Sequence, residues 1–238
     1  MIDRVSVRYE QAVYGSFAFC RRGYGMLAHS AACRPEWLAA LKAACQRYGE
    51  PPAGVVEAPA LFARRIERGP WMIVGIFPQG CDDAGRPGAL AFHALFVGRW
   101  VYARAGADPF VFGGLTRGDW GATDLDATLP PGRATIRSAP FRRTIRPLAS
   151  HEHEGESFRE IVAAIARGRR VAIQSDGPID RMARDVWRAL PFRVRLRTSV
   201  ATWAFDNANG FDLAALPRLG FGAREAADLI LTSRAGRI

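Results

Sequence analysis

Two stretches of the chain, Trp71–Phe77 and Ala89–Val97, are apolar on both faces, and the turn-rich segment Pro78–Gly88 joins them. Continuous apolar runs of this length predict strands covered on both sides. The connection is too brief for a parallel crossover, so the two strands are expected to pair antiparallel at the centre of a sheet. Upstream, Val5, Val7 and Tyr9 alternate with Arg4, Ser6 and Arg8, the pattern of a half-buried strand. That strand runs into Gln11–Phe19, where it either continues or bends at Gly15; Tyr24–His29 is expected to return as a second strand. From Pro35 the period changes. Trp37, Leu38, Leu41, Ala44, Cys45 and Tyr48 fall on one helical stripe, which Gly49 and Pro51-Pro52 end. Trp37, Leu38 and Leu41 are expected to pack on one face of the strand pair.

Beyond the strand pair the pattern weakens. Gly98–Gly121 reads as short strands and irregular loops, and Leu129–Pro147 as a connection. The charged run His151–Glu156 completes a solvated hinge over 148–156. Ser157-Phe-Arg-Glu160 has the form of a capping box, which opens a helix with Phe158, Ile161, Val162 and Ile165 on its buried stripe and Gly168 past its end. Val171–Gln174 is a short strand. A second helix follows Asp176-Gly-Pro178 with Ile179, Met182, Ala183, Val186, Trp187 and Leu190 on one face, and Pro191 stops it. Phe192, Val194 and Leu196 alternate with Arg193, Arg195 and Arg197, a further half-buried strand. The fold class expected is α+β: an antiparallel central sheet with one flanking helix, followed by a small α/β layer. The division expected is an N-terminal sub-domain at 1–147, the hinge at 148–156, and a C-terminal sub-domain at 157–238.

Composition narrows the function classes. With 238 residues, 49% of them hydrophobic, the chain can bury a core without help from metals or disulfides. No apolar stretch is long enough for a membrane span, and the first residues have no apolar leader, so a cytoplasmic protein is expected, with no membrane partner. Cys20, Cys33, Cys45 and Cys81 are too scattered for a disulfide scaffold and read as reduced thiols. The formal charge of +10 raises a basic nucleic-acid-binding module as one alternative. Lys42 is the lone lysine and the arginines run from Arg4 to Arg237, which points to compositional bias as much as to a selected surface.

The chemistry-bearing motifs are sparse. There is no Cys-x-x-Cys, no His-Glu-x-x-His, and no phosphate-binding glycine loop. His151 and His153 form the one ligand-dense patch, read as an exposed hinge; no cofactor and no metal is expected. An enzyme alternative is a thiol hydrolase. Cys33 lies just before a helix start, where the macrodipole favours a thiolate; His93 lies on a central strand, and Asp82 or Asp83 is placed to orient it. Arg193, Arg195 and Arg197 have the guanidinium forks that match phosphates. The loop Cys81, Asp82, Asp83 and Arg86 joins two central strands, a placement where binding residues concentrate, and with His93 it completes the partner-binding set.

Four segments carry a family resemblance: Gln11–Ser16, Arg22–Ala28, Gly85–Phe96, and Leu190–Arg195 followed by Thr198-Ser199 and Thr202. They resemble the N-terminal domain of bacterial GTPase-associated proteins, encoded beside GTPase components of conflict systems. The resemblance extends to about Leu219. It implies a partner-binding component without enzymatic chemistry, its partner a GTPase or GTPase-system protein, with Gly15 and His93 as family-matching positions. Arg170–Asp176 and Leu190-Pro-Phe192 are similar to the core of DENN domains, which act on small GTPases. The order strand, strand, helix, strand, strand is similar to that of their longin companions.

Overall fold

The structure, a computed structural model, describes residues 4–20, 23–55, 57–125, 128–137, 152–220 and 227–232, with the backbone alone for 137 and 152–156. One mostly antiparallel sheet of ten strands carries seven helices among the described residues.

The first half builds the antiparallel part. Strand β1 (Arg4–Gly15) continues through Gln11 to Gly15, and β2 (Gly25–His29) returns beside it with a register shift at Val13/Tyr14. Helix α1 (Pro35–Gln46) begins at the proline, whose missing N–H would have had no partner there. Strands β3 (Ala60–Arg65), β4 (Trp71–Cys81) and β5 (Pro87–Val97) follow. β4 and β5 pair antiparallel from Trp71–Val97 to Cys81–Pro87, with register shifts near Gly80, in the interior of the order β10-β7-β9-β8-β3-β4-β5-β1-β2. The expected hairpin is therefore present, and both strands are longer than their apolar runs.

Successive β5 side chains face opposite layers. Phe92 and Phe96 meet α1: Trp37 lies 5.6 Å from the Phe96 ring, and Tyr48, just past the helix, lies edge-on to Phe92 at 5.5 Å. Leu41 is fully buried, and Trp37 and Leu38 are partly so. Each such aliphatic or aromatic side chain contributes about 1.5–3 kcal/mol on full burial.

The other face, which carries His93, is covered by Gly98–Leu125 and by Leu129. Here the expectation of short strands is corrected. The segment forms α2 (Arg99–Arg104), α3 (Pro109–Gly113) and α4 (Ala122–Leu125). Asp108 caps α3, accepting from the Phe110 N–H at 2.9 Å, with Pro109 at the first helical position. These helices are too short for a periodic stripe to show in sequence. Within the presumed connection, β6 (Gly132–Arg137) pairs with β1 from Arg4–Arg137 to Tyr9–Gly132; the rest, 138–147, lies outside the described residues.

The second half adds the parallel part. Helix α5 spans Glu152–Ala166, so Ser157 sits inside the helix and the expected capping box does not open it. Of the expected hinge, 152–156 is helical and 148–151 lies outside the described residues. Glutamate is an adequate helix former, and the described part of the charged run extends the helix rather than preceding it. Strand β7 (Val171–Gln174) and helix α6 (Asp180–Ala189) match expectation closely. Helix α7 (Phe192–Arg195) replaces the expected strand. Pro191 starts a helical turn, its carbonyl accepting from the Val194 and Arg195 N–H groups, and Val194 alone of that segment's apolar residues is deeply buried. Strands β8 (Val200–Ala201), β9 (Leu213–Leu216) and β10 (Leu229–Thr232) complete the sheet, with β8–β9, β9–β7 and β7–β10 parallel. Hydrogen bonding is continuous from β3 to β8, so one sheet and one large core run through both halves.

Candidate functional site

The loop at the β4–β5 tip is built by two consecutive carboxylates. Asp82 folds it: one oxygen accepts from the N–H groups of Ala84 (2.9 Å) and Arg86 (2.8 Å), and the other takes the Arg86 Nε–H at 2.7 Å. These bonds, the Arg86 N–H first, hold the Asp82 carboxyl below the ordinary range. Gly85 turns the chain at φ 76°, a region costly for other residues. Asp83 ties the loop to the segment after β1. Its Oδ1 accepts from the Ser16 hydroxyl at 3.1 Å and its Oδ2 from the Gly23 N–H at 2.7 Å. Beside it, the Leu90 N–H donates to the Tyr24 hydroxyl oxygen at 2.6 Å.

The result is a fixed surface. Phe19 is 47% exposed, Tyr24 46%, and the Arg86 side chain 74%, with Cys81 also exposed. Exposed rings on the segment that Asp83 ties to the loop, together with the loop's own arginine, have the composition of a protein-docking surface.

His93 lies deeper, 2% exposed. The register places it opposite Val13 on β1 and Gly75 on β4. Gln11, two residues from Val13, is thus its diagonal neighbour on the same face. The Nε2–H donates to Gln11 Oε1 at 2.9 Å, and the Arg117 N–H donates to Nδ1 at 3.0 Å. The Gln11 amide then donates to the Pro130 carbonyl at 2.7 Å, which fixes its own orientation. A main-chain N–H can only donate, so Nδ1 is the acceptor and the ring is neutral. Burial, with the Arg117 charge behind it, pushes the His93 pKa down to about 3. Trp120 closes the site edge-on at 4.8 Å, and the Arg117 guanidinium lies 3.9 Å above the Trp120 ring.

Glycines let the 113–118 segment approach. A Cβ on Gly75 would lie 2.2 Å from the Thr116 hydroxyl oxygen, and one on Gly118 would lie 2.5 Å from the Phe77 ring. Their bareness allows the Arg117 N–H to reach the imidazole.

The residues of the thiol-hydrolase alternative do not form a catalytic set. Cys33 donates to the Gln11 main-chain carbonyl at 3.5 Å, and among the described residues no hydrogen bond joins it to His93. Burial, then the nearby Glu10 charge, pushes its thiol up to about 11, away from the thiolate a nucleophile needs. Asp82 spends both oxygens within its own loop, and Asp83 binds Ser16 and Gly23, so neither orients His93.

Of the partner-binding residues expected, Cys81, Asp82, Asp83 and Arg86 come together at the tip. His93 sits beneath the sheet surface, and the arginine trio stands elsewhere. Arg193 and Arg197 are exposed on and after α7, while Arg195 is half-buried, with its Cζ 5.9 Å from the Phe192 ring. Arg195 also lies in the field of Tyr102, whose ring stacks on Trp71 at 4.2 Å. Trp71 begins β4, the end opposite the tip.

A cleft of about 300 Å³ opens beside the His93 network, lined by Gln11, Arg117, Trp120, Thr123, Asp124, Thr128, Leu129 and Pro130. Arg117 pairs there with Asp124 at 3.2 Å. The cleft offers hydroxyls and a neutralised ion pair, and the His93 imidazole beside it has both nitrogens engaged. Among the described residues no group of three or more His, Cys, Asp or Glu is placed to hold a metal. His151 and the His153 side chain lie outside them. No helix among the described residues is long and apolar enough to cross a membrane.

Sequence reasoning missed Gln11, Arg117 and Trp120. Their meeting depends on register and on a loop that three glycines, Gly75, Gly113 and Gly118, admit; the glycines were the readable signal. No protein-family model, curated protein or solved structure matches the chain.

Proposed function

We propose that this chain is a non-enzymatic partner-binding module, with its docking surface at the β4–β5 tip, and that its partner is a GTPase or GTPase-system protein of a bacterial conflict system. The observation that carries the docking surface is the double strap of Asp82 and Asp83, which ties the loop bearing Arg86 to the segment bearing Phe19 and Tyr24 before any partner arrives. Such preorganisation lowers the entropy cost of association. The choice of partner rests on the resemblance to GTPase-associated proteins, whose matching segments 11–16, 22–28 and 85–96 flank or form this tip. The order of the first elements, two strands, helix α1 and then three strands, supports the same class of partner by its likeness to a longin domain, although α2, α3 and α4 cover the sheet's other face where one flanking helix was expected. The fully engaged His93 and the protonated Cys33 weigh against a thiol hydrolase.

The test is isothermal titration of the chain with a GTPase encoded in its genomic neighbourhood, the kind of partner the resemblance implies. Binding that weakens at least tenfold in Arg86→Glu, with the thermal melt unchanged, supports the proposal. Binding untouched by Arg86→Glu and by Phe19→Ala refutes the docking surface; absence of binding refutes the partner.

A further inference from the structure

At the end of β1 opposite the docking tip, β1 and β6 form a two-stranded ribbon that extends past β5, whose last residue Val97 pairs with Tyr9. One side of the ribbon is core: Val5, Val7 and Ile136 are buried. The other side is exposed, and its register is unusual. Arg8 stands directly opposite Arg133, Ser6 opposite Thr135, and Arg4 opposite Arg137. The exposed side chains Arg4, Ser6, Arg8, Arg133 and Thr135 include no carboxylate.

Like charges directly opposite each other on a sheet destabilise it. The relief available is small: Arg8 reaches Glu10 at 3.6 Å, and the Arg8 side chain is 60% exposed. A face that bears this cost and carries only cationic and hydroxyl groups is complementary to a line of anions. Arginine forks and Ser or Thr hydroxyls are the side chains that contact phosphate oxygens. Successive outward positions along a strand are about 6.8 Å apart, so the ribbon presents its donors at regular intervals in an extended row. The basic row continues past Glu10. Phe96 is the register partner of Glu10, Trp37 packs on Phe96, and the exposed Arg34 holds its guanidinium 5.5 Å over the Trp37 ring. An acidic protein segment would ordinarily also need apolar anchors, and the ribbon face offers none.

We propose that this ribbon face binds the phosphate backbone of nucleic acid, independent of sequence. It is a separate surface from the docking tip and does not rest on the identity of the protein partner.

The test is fluorescence anisotropy of a labelled oligothymidine with the full chain over a salt series. Binding in the micromolar range at about 50 mM salt is expected, weakening steeply as salt rises. The variant Arg4→Gln/Arg8→Gln/Arg133→Gln should bind at least tenfold more weakly and lower the log–log salt slope by about 2, one phosphate per arginine at ~0.7 each. The single change Ser6→Glu, at an exposed position, should act in the same direction with the melt unchanged. Arg193→Gln/Arg197→Gln should bind within twofold of the parent. Absence of binding at low salt would overturn the proposal, as would binding insensitive to both ribbon variants or an equal loss in the Arg193/Arg197 variant. Competition by polyglutamate as strong as by an oligonucleotide of equal charge would reassign the face to an acidic protein and overturn it too.

Discussion

His93 and Gln11 are diagonal neighbours across β5 and β1, joined by a 2.9 Å hydrogen bond from Nε2–H to Oε1. The bond commits both side chains. Gln11 turns its amide to Pro130, and His93 presents Nδ1 to the Arg117 N–H. A histidine on a central strand next to a cleft thereby becomes a rivet between the sheet and the loop covering it.

The rivet gives stability a pH dependence. The His93 pKa is near 3 in the fold against 6.5 when unperturbed, so between these values the unfolded chain binds more protons. Its contribution is complete above about pH 6.5 and is lost as pH falls toward 3, on the order of 5 kcal/mol over the whole window. Urea titrations of the parent and His93→Asn between pH 7 and 4 should converge as pH falls, because the variant lacks this loss. Parallel curves would contradict it.

Gly75→Ala should destabilise the fold by about 1–3 kcal/mol, since its Cβ would lie 2.2 Å from the Thr116 hydroxyl oxygen and force the covering segment away. Chemical denaturation measures the loss. An unchanged midpoint would mean that the loop moves freely off the sheet.

Iodoacetamide at neutral pH should label exposed Cys81 quickly and leave Cys33, with its thiol near 11, slow. His93→Ala should leave the Cys33 rate unchanged unless the fold loosens, which a melt detects. A fast Cys33 that depends on His93 would restore the thiol-hydrolase reading.

Asp83→Ala should free the segment after β1. The Gly23 amide, now bound to the Asp83 carboxylate at 2.7 Å, should exchange with deuterium at least tenfold faster, while β4 and β5 amides keep their protection. Unaltered exchange at Gly23 would show that the strap does not order the docking surface.

The central hairpin and α1 were legible because their signals are local: two apolar runs with a short turn, and one helical stripe opened by proline and closed by glycine. The same local rules misled where context prevailed. Arginines alternating with Phe192, Val194 and Leu196 imitate a strand, yet Pro191 starts a helical turn that buries Val194 most deeply. Ser157 imitates a cap, yet the helix already runs from Glu152; with the residue interior and exposed, Ser157→Ala should change stability by only about 0.5 kcal/mol. The tip residues could be read from loop placement alone. The Gln11–His93–Arg117 link could not, because it joins residues brought together by strand register and by a segment that reaches the sheet only over bare glycines.

His93 is a neutral residue with both ring nitrogens engaged inside the protein, the state that the proposed docking role requires. The most direct measurement is the long-range ¹H–¹⁵N spectrum of its imidazole. The expected result is a single Nε2–H tautomer, with an unprotonated accepting Nδ1, unchanged from pH 7 to pH 5. An imidazolium appearing in that range, or an Nδ1–H tautomer, would contradict the account.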